Sequence, residues 1–385
     1  MVSPSYLSRL VSRAAFVKST HRTFFDQATY ISHTVEAIDS LQQWYSPASG
    51  LWATTGWWNA GNCLTVLADY AVLQPASATT LGIQSVMQKT FTDAQKTMVS
   101  ATKFYNGVGL PISSYSMVAQ DETDISKRGF DNFINDYFDD EGWWALALIR
   151  SYDAVGDQTF LDGAVTIFND MSTGKSPCGG IYWSKVDDYT NAIANELYFK
   201  VAASLANRIP AQKEHYLDIA ETQWAWFKRS GMINSQNLIN DGLTTDCKNN
   251  GENTWTYNQG VILGGLVELY KANGNSALLS KATDIAIAAI KFKTKNGILF
   301  EGCEPDCGSD GAQFKGVFMR NLRELHQVAP QAIFKDFLLT NADSIWNKDR
   351  KGDLLGLSWT GPYGTATAGT QSSALDALIA AVAIT

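Results

Sequence analysis

The stretch Asp139-Asp140-Glu141-Gly142-Trp143-Trp144-Ala145-Leu146-Ala147-Leu148-Ile149-Arg150-Ser151-Tyr152 decides how this chain is read. From Ala145 to Tyr152 it is apolar at helical spacing, which marks a core helix. Its entrance sets three carboxylates against two tryptophans. Carboxylate pairs do acid–base and nucleophilic work, and flat aromatic faces hold sugar rings, so the run points to carbohydrate chemistry. A plain helix start explains it equally well: Asp139 or Asp140 would cap the helix and Glu141 would complement its dipole.

Working outward, the same periodicity predicts helices over Thr29–Trp44, Cys63–Leu73, Thr90–Phe104, Phe160–Met171, Ala192–Ala206, Lys213–Ser230, Tyr257–Ala272, Ser276–Lys291, Gln313–Gln327, Ala332–Trp346 and Gln371–Ile384, in addition to Gly142–Tyr152. Thr159 and Ser276 are expected to mark helix starts. Strand-like alternation is confined to Gly180–Ser184 and Gly297–Phe300. About a dozen helices, joined alternately by short turns and long Gly/Asn/Asp-rich loops, imply an all-α toroid of inner and outer helices with a period of roughly 50–60 residues. No Pro/Ser linker or shift in composition divides residues 1–385, so one domain is expected.

Composition narrows the function classes. Apolar residues make up 45% of the chain and charged residues 18%, with 30 basic against 38 acidic and a net charge of −8. No basic block appears, which argues against a nucleic-acid partner. No stretch approaches the ~18–20 apolar residues of a membrane span, and the apolar tail Ala374–Ile384 reads as a final core helix. Arg9, Arg13 and Lys18 interrupt any apolar leader, so no signal peptide is legible. A monomer is expected.

Five cysteines are present. Cys303 and Cys307 form a tight loop pair that could close on itself. Cys178 and Cys247 lie in two other loops and could bridge. Cys63, in an apolar helical stretch, reads as a free buried thiol. Two disulfides suit a secreted protein. The histidines are scattered without ligand spacing, and Asp306 and Asp310 do not match a calcium loop, so no metal is expected.

The chain carries 12 Trp, 15 Tyr and 18 Phe. Trp57-Trp58 and Trp143-Trp144 are candidate sugar platforms, with one member of each pair expected in the core. Trp183 and Tyr257 lie in comparable loops. Asn59, Asp241, Asn258 and Gln259 are candidates for bonding sugar hydroxyls. Lys315 and Arg320 would pair with the acids, hold a hydroxyl, or be surface charge. Adjacent side chains at an irregular helix entrance lie about 5 Å apart, the spacing of a retaining glycosidase pair, and two neighbouring carboxylates resist ionising together, which keeps one proton for acid catalysis.

Thr55-Gly56-Trp57-Trp58-Asn59-Ala60, Tyr137–Tyr152, Cys178–Trp183, Asn191–Leu197, Trp255–Gly265, Gln313–Asn321, Gly361-Pro362-Tyr363 and Gln371–Asp376 together resemble glycoside hydrolase family 76, the endo-α-1,6-mannanases. The resemblance implies an (α/α)6 barrel, cleavage of α-1,6-linked mannan with retention, Asp139 as nucleophile, Asp140 as acid/base, and no metal or organic cofactor. On the residues alone either aspartate could hold either role. Cys178 and Cys247 look like the fungal branch, which implies a secreted or cell-wall protein. That branch also holds cell-wall transglycosidases thought to act on the mannan core of GPI anchors, and the lack of an obvious C-terminal anchor signal favours a soluble hydrolase. A transglycosidase, an α-glucan enzyme on the same scaffold and a non-catalytic glycan-binding protein are the alternatives.

Overall fold

The structure is a computed structural model that describes residues 24–117 and 129–385. The reading of the N-terminal leader and His21 lie outside the described residues. Twelve long helices carry the fold: α1 (Gln27–Gln42), α2 (Trp57–Leu73), α3 (Ile83–Thr97), α4 (Phe138–Val155), α5 (Gln158–Met171), α6 (Ala192–Arg208), α7 (Lys213–Ser230), α8 (Thr256–Asn273), α9 (Ala277–Phe292), α10 (Phe314–Val328), α11 (Ala332–Lys348) and α12 (Ala368–Ile384).

Their packing closes a ring. Helix α2 packs on α4, α4 on α6, α6 on α8, α8 on α10, α10 on α12, and α12 returns to α2. The odd-numbered helices lie outside: α1 and α11 against α12, α3 against α2, α5 against α4, α7 against α6 and α9 against α8. This is the toroid that the alternation of helices implied, in the (α/α)6 form that the family resemblance implied. Burial sets the two layers apart. Inner helices are walled on every side, and α12 buries every residue from Ala368 to Val382. Outer helices bury one stripe, as α9 does with Leu278, Ala282, Ile285, Ala286 and Ala289. Inner helices approach closely where a side chain is missing: a Cβ on Gly260 of α8 would stand 2.7 Å from Phe318 Cα on α10.

Two departures matter. The helix expected over Thr90–Phe104 ends at Thr97, and Met98–Tyr105 continues as strand β1, antiparallel to β2 (Pro111–Met117) with Lys103 opposite Ser113. Asn106-Gly107-Val108-Gly109 turns the hairpin: Asn106 Oδ1 accepts from the amides of Val108 and Leu110, each at 3.0 Å, and Gly109 sits at φ +71°. The helical starts also differ from expectation. Asp157, not Thr159, caps α5, accepting from Thr159 N at 3.1 Å. Ser276 makes no capping bond, and Asn275 Oδ1 accepts from Ala277 N at 3.1 Å instead. Gly180–Ser184 forms only isolated bridges, while Ile298–Leu299 pairs with Thr294–Lys295.

Cys178–Cys247 and Cys303–Cys307 are disulfide-bonded, and Cys63 is a buried free thiol. Among the described residues no helix is long and apolar enough to cross a membrane.

Candidate active site

Residues from the first two turns of four inner helices meet at one end of the ring. Trp58 (α2) stacks on Trp143 (α4) at 5.4 Å, Trp143 faces Tyr257 (α8) at 6.3 Å, and Tyr257 stacks on Phe314 (α10) at 3.9 Å. Helix N-termini therefore converge there, and their unpaired amides favour buried negative charge. Asp139 and Asp140 occupy the first turn of α4. They do not cap it: Tyr137 holds the cap position without a side-chain bond.

One cation joins the two acids. Lys103 Nζ, carried in by β1, lies 2.8 Å from Asp139 Oδ2 and 2.5 Å from Asp140 Oδ1, with its side chain only 2% exposed. The two oxygens that it touches can therefore be no more than about 5.3 Å apart. Asp140 Oδ2 also accepts from Tyr115 Oη at 2.9 Å and Asn135 Nδ2 at 2.7 Å. Asp139 Oδ1 has no partner among the described residues. Burial pushes Asp140 up, with Asp139 adding to the effect, while Lys103 and Asn135 pull it down; the balance is about 6. The Lys103 ammonium loses solvation, yet Asp139 and Asp140 outweigh that loss and hold it above its ordinary value.

Further acids surround this centre. Asp241, from the loop before α8, accepts from Tyr189 Oη at 2.6 Å and Tyr105 Oη at 3.1 Å, and burial raises it to about 6. Beside it opens a cleft of about 530 Å³ lined by Tyr105, Tyr189, Asp241 and Glu252. Glu196 of α6 is fully buried, neither oxygen is bonded among the described residues, and burial drives it well above the usual carboxylate range. Asp310, in the turn Gly308–Gly311, accepts from Trp58 Nε1 at 3.0 Å and is raised chiefly by burial. Glu141, third acid of the opening run, points away from the pair: its Oε1 accepts from Lys185 Nζ at 2.8 Å and Asn135 N at 3.2 Å, fastening the entry loop to α4.

A buried carboxylate pair under a mouth of tyrosines and tryptophans suits glycoside chemistry, and comparison with known proteins agrees. The profile of glycosyl hydrolase family 76 matches residues 12–385. The chain belongs to that family.

Among curated relatives, the mannan endo-1,6-alpha-mannosidase DFG5 of Candida albicans is 25% identical over 371 residues, covering 88% of this chain and 75% of its own length. DFG5 of Saccharomyces cerevisiae is 29% identical over 272 residues, 62% of this chain and 58% of its own. Among solved structures, the GH76A alpha-1,6-mannanase from Salegentibacter sp. HEL1_6 superposes with a TM-score of 0.75 at 20% identity, over 91% of this chain and 98% of that one. An inactive variant of that mannanase, with two adjacent aspartates changed to asparagine, was solved with α-1,6-mannotriose (TM-score 0.72, 20% identity, 92% and 100% covered). The Chaetomium thermophilum Dfg5 complex with glucosamine gives 0.74 at 17% identity, over 94% and 92%.

For this family 76 glycoside hydrolase the structure sorts the expected site residues. Trp183 packs against Tyr105 and Tyr137 at 5.3 and 5.4 Å, in the wall beside Lys103. Asp241 and Tyr257 belong to the same mouth, and electrostatic coupling ties Tyr257 to Asp139 and Asp241. Asn258 is fully buried in the first turn of α8, with neither amide atom bonded among the described residues. Trp58 and Trp143 are 3% and 2% exposed and form the stacked layer beneath.

The rest serve the scaffold. Trp57 is fully buried, donates Nε1 to Ala94 O at 2.9 Å and packs on Phe130 and Trp144, which leaves no face for a sugar. Asn59 donates to Gln313 Oε1 at 2.9 Å, tying α2 to the turn before α10. Gln259 is spent on Ile239 N, Ile239 O and Trp255 O. Lys315 donates to Glu304 Oε1 and Leu357 O, both at 2.6 Å, and Arg320 pairs with Asp376 at 3.3 Å and with Asn62. Neither cation reaches the Asp pair, because each has a nearer buried partner. Lys103, Tyr115, Asn135 and Glu196 escaped the sequence reading. The dipeptide Asn106-Gly107, a hairpin-turn signature, is the signal that would have exposed the first two.

Proposed function

We propose that this chain is a retaining glycoside hydrolase that cleaves α-1,6-mannosidic linkages in mannan backbones, with Asp139 as nucleophile and Asp140 as acid/base. One observation carries the reading: two buried first-turn carboxylates held within reach of a single bond by one ammonium. In the first step Asp140 gives its proton to the departing glycosidic oxygen while Asp139 bonds the anomeric carbon. In the second, Asp140 takes a proton from water, and that water displaces Asp139. The raised proton affinity of Asp140 and the unbonded Oδ1 of Asp139 support this division of roles. The names of the fungal relatives and the mannotriose complex of the variant mannanase support the substrate. Asp241, Trp183, Tyr257 and Asn258 are the proposed sugar contacts. The return of α12 onto α2 supports one catalytic unit, and the two disulfides support a secreted or cell-wall location, acting as a monomer on polysaccharide.

Asp139→Asn and Asp140→Asn are each expected to lower α-1,6-mannan cleavage by about 10³-fold or more. Near wild-type turnover in either would sink the assignment, and a first product of inverted anomeric configuration by NMR would sink retention. A transglycosidase is the second reading, favoured by the depth of the pair, since Asp139 is 7% exposed and Asp140 fully buried. It predicts that added mannooligosaccharide outcompetes water for the glycosyl group.

A further inference from the structure

We propose that Lys103 is the positioning residue of the acid pair, holding the two carboxylates together and fixing the number of protons that they share. This rests on the two-aspartate mechanism above and deepens it.

The argument is one of charge. The first step needs Asp139 ionised and Asp140 protonated. With Lys103 charged, that trio is electrically neutral, the condition that burial favours. Remove the ammonium and the same protonation state carries a net negative charge in a buried pocket. A second proton would then relieve it, and that proton would fall on the nucleophile. The titratable groups that act on the trio from neighbouring elements are Asp310 in the turn before α10, Asp241 in the loop before α8, Tyr105 and Tyr115 on the hairpin, Tyr137 before α4 and Tyr257 on α8. The two carboxylates add to this pressure, whereas Tyr115 and Asn135 donate hydrogen bonds to Asp140 and relieve part of it. None of these groups brings a positive charge. Among the described residues, Lys103 is the only cation paired with Asp139 or Asp140.

The lysine is itself well held. Its Nζ lies 5.0 Å from the centre of the Tyr137 ring and 5.7 Å from that of Trp183, and its own amide donates to Tyr137 Oη at 3.0 Å. Cation–π contact stabilises the charge without neutralising it, so the ammonium remains available to the carboxylates.

The test compares full-length Lys103→Met, Lys103→Gln and Lys103→Arg with the parent across pH. The Met and Gln variants are expected to lose at least 10-fold in kcat near the parent optimum. The acid limb of kcat/KM, which reports ionisation of the nucleophile, should move at least one pH unit upward. KM should change little, and Arg should restore most of both effects. Infrared titration of the carboxyl band, referenced to an Asp139→Asn/Asp140→Asn double variant, reads the same shift without turnover. A uniform fall in rate with both limbs and the carboxyl titration unmoved, or an unchanged rate, overturns the proposal. Active single Asp→Asn variants would instead overturn the two-aspartate mechanism. Inactive Asp variants beside an unshifted Lys103→Met would remove only the role of the lysine.

Discussion

At the scale of the residue, the reaction centre is a balance of donors against burial around Asp140. Burial and Asp139 raise its proton affinity, and Lys103 and Asn135 lower it, leaving a value of about 6. The acid must hold its proton in the first step, so kcat is expected to fall as pH rises through about 6. Tyr115 donates to the ionised form at 2.9 Å. Tyr115→Phe removes that preference, so the alkaline limb should move upward by less than about one pH unit while the fold is kept. A pH–rate profile of the variant checks this, and a limb moving downward would contradict the bond's assigned direction. The two aspartates were legible in the sequence because like charge beside aromatics is unusual. Lys103 was not, because a lone lysine between Thr102 and Phe104 carries no local sign of the acids that it meets after folding.

At the scale of the element, the hairpin shows why periodicity misled. Met98, Ala101 and Phe104 continue the three-residue spacing of α3, so the apolar pattern alone extends the helix. What ends it is tertiary: β1 finds a partner seven residues long in β2. The inner helices, by contrast, were legible in position although not in layer. Burial on all sides is not written in their composition, since α10 buries Lys315, Arg320, Asn321 and Arg323, and which helix neighbours which depends on ring closure. Gly260 bears on that closure. Gly260→Ala would force a methyl group to 2.7 Å from the α10 backbone at Phe318, where no flexible side chain can yield. A loss of about 1–3 kcal/mol is expected from denaturant unfolding. Unchanged stability would mean that α8 and α10 separate without cost.

At the scale of the whole molecule, the barrel holds buried carboxylates whose proton affinity is raised by burial. Asp140 and Asp241 stand at about 6, and Asp349 and Asp376 at about 7. Against the ~3.9 of an exposed aspartate, the folded chain binds protons that the unfolded chain has released. Stability from these groups is complete below about pH 4 and is lost as pH rises towards 7. Glu268 acts oppositely: burial is outweighed by Arg208 and Lys271, which lower it to about 2, so its contribution is present above about pH 4.3 and lost below. Between pH 5 and 7.5, Tm should therefore decline. Asp349, with neither carboxylate oxygen bonded among the described residues, should account for part of the slope. Calorimetry of Asp349→Asn is expected to show a shallower decline; a parallel curve would remove Asp349 from this account. The toroid as a whole was legible from alternating helices, whereas the depth at which its acids lie emerges only when the six inner helices close.

The hairpin has a consequence for how such an enzyme tolerates change. It adds no helix to the ring, yet it delivers Lys103 and Tyr115 to the acid pair and Tyr105 to Asp241. Substitutions there reach the reaction centre without passing through the close-packed interior. The segment is thus a place where mutation can alter chemistry while leaving foldability intact, a separation that the tightly walled first turns of α2, α4 and α8 do not permit.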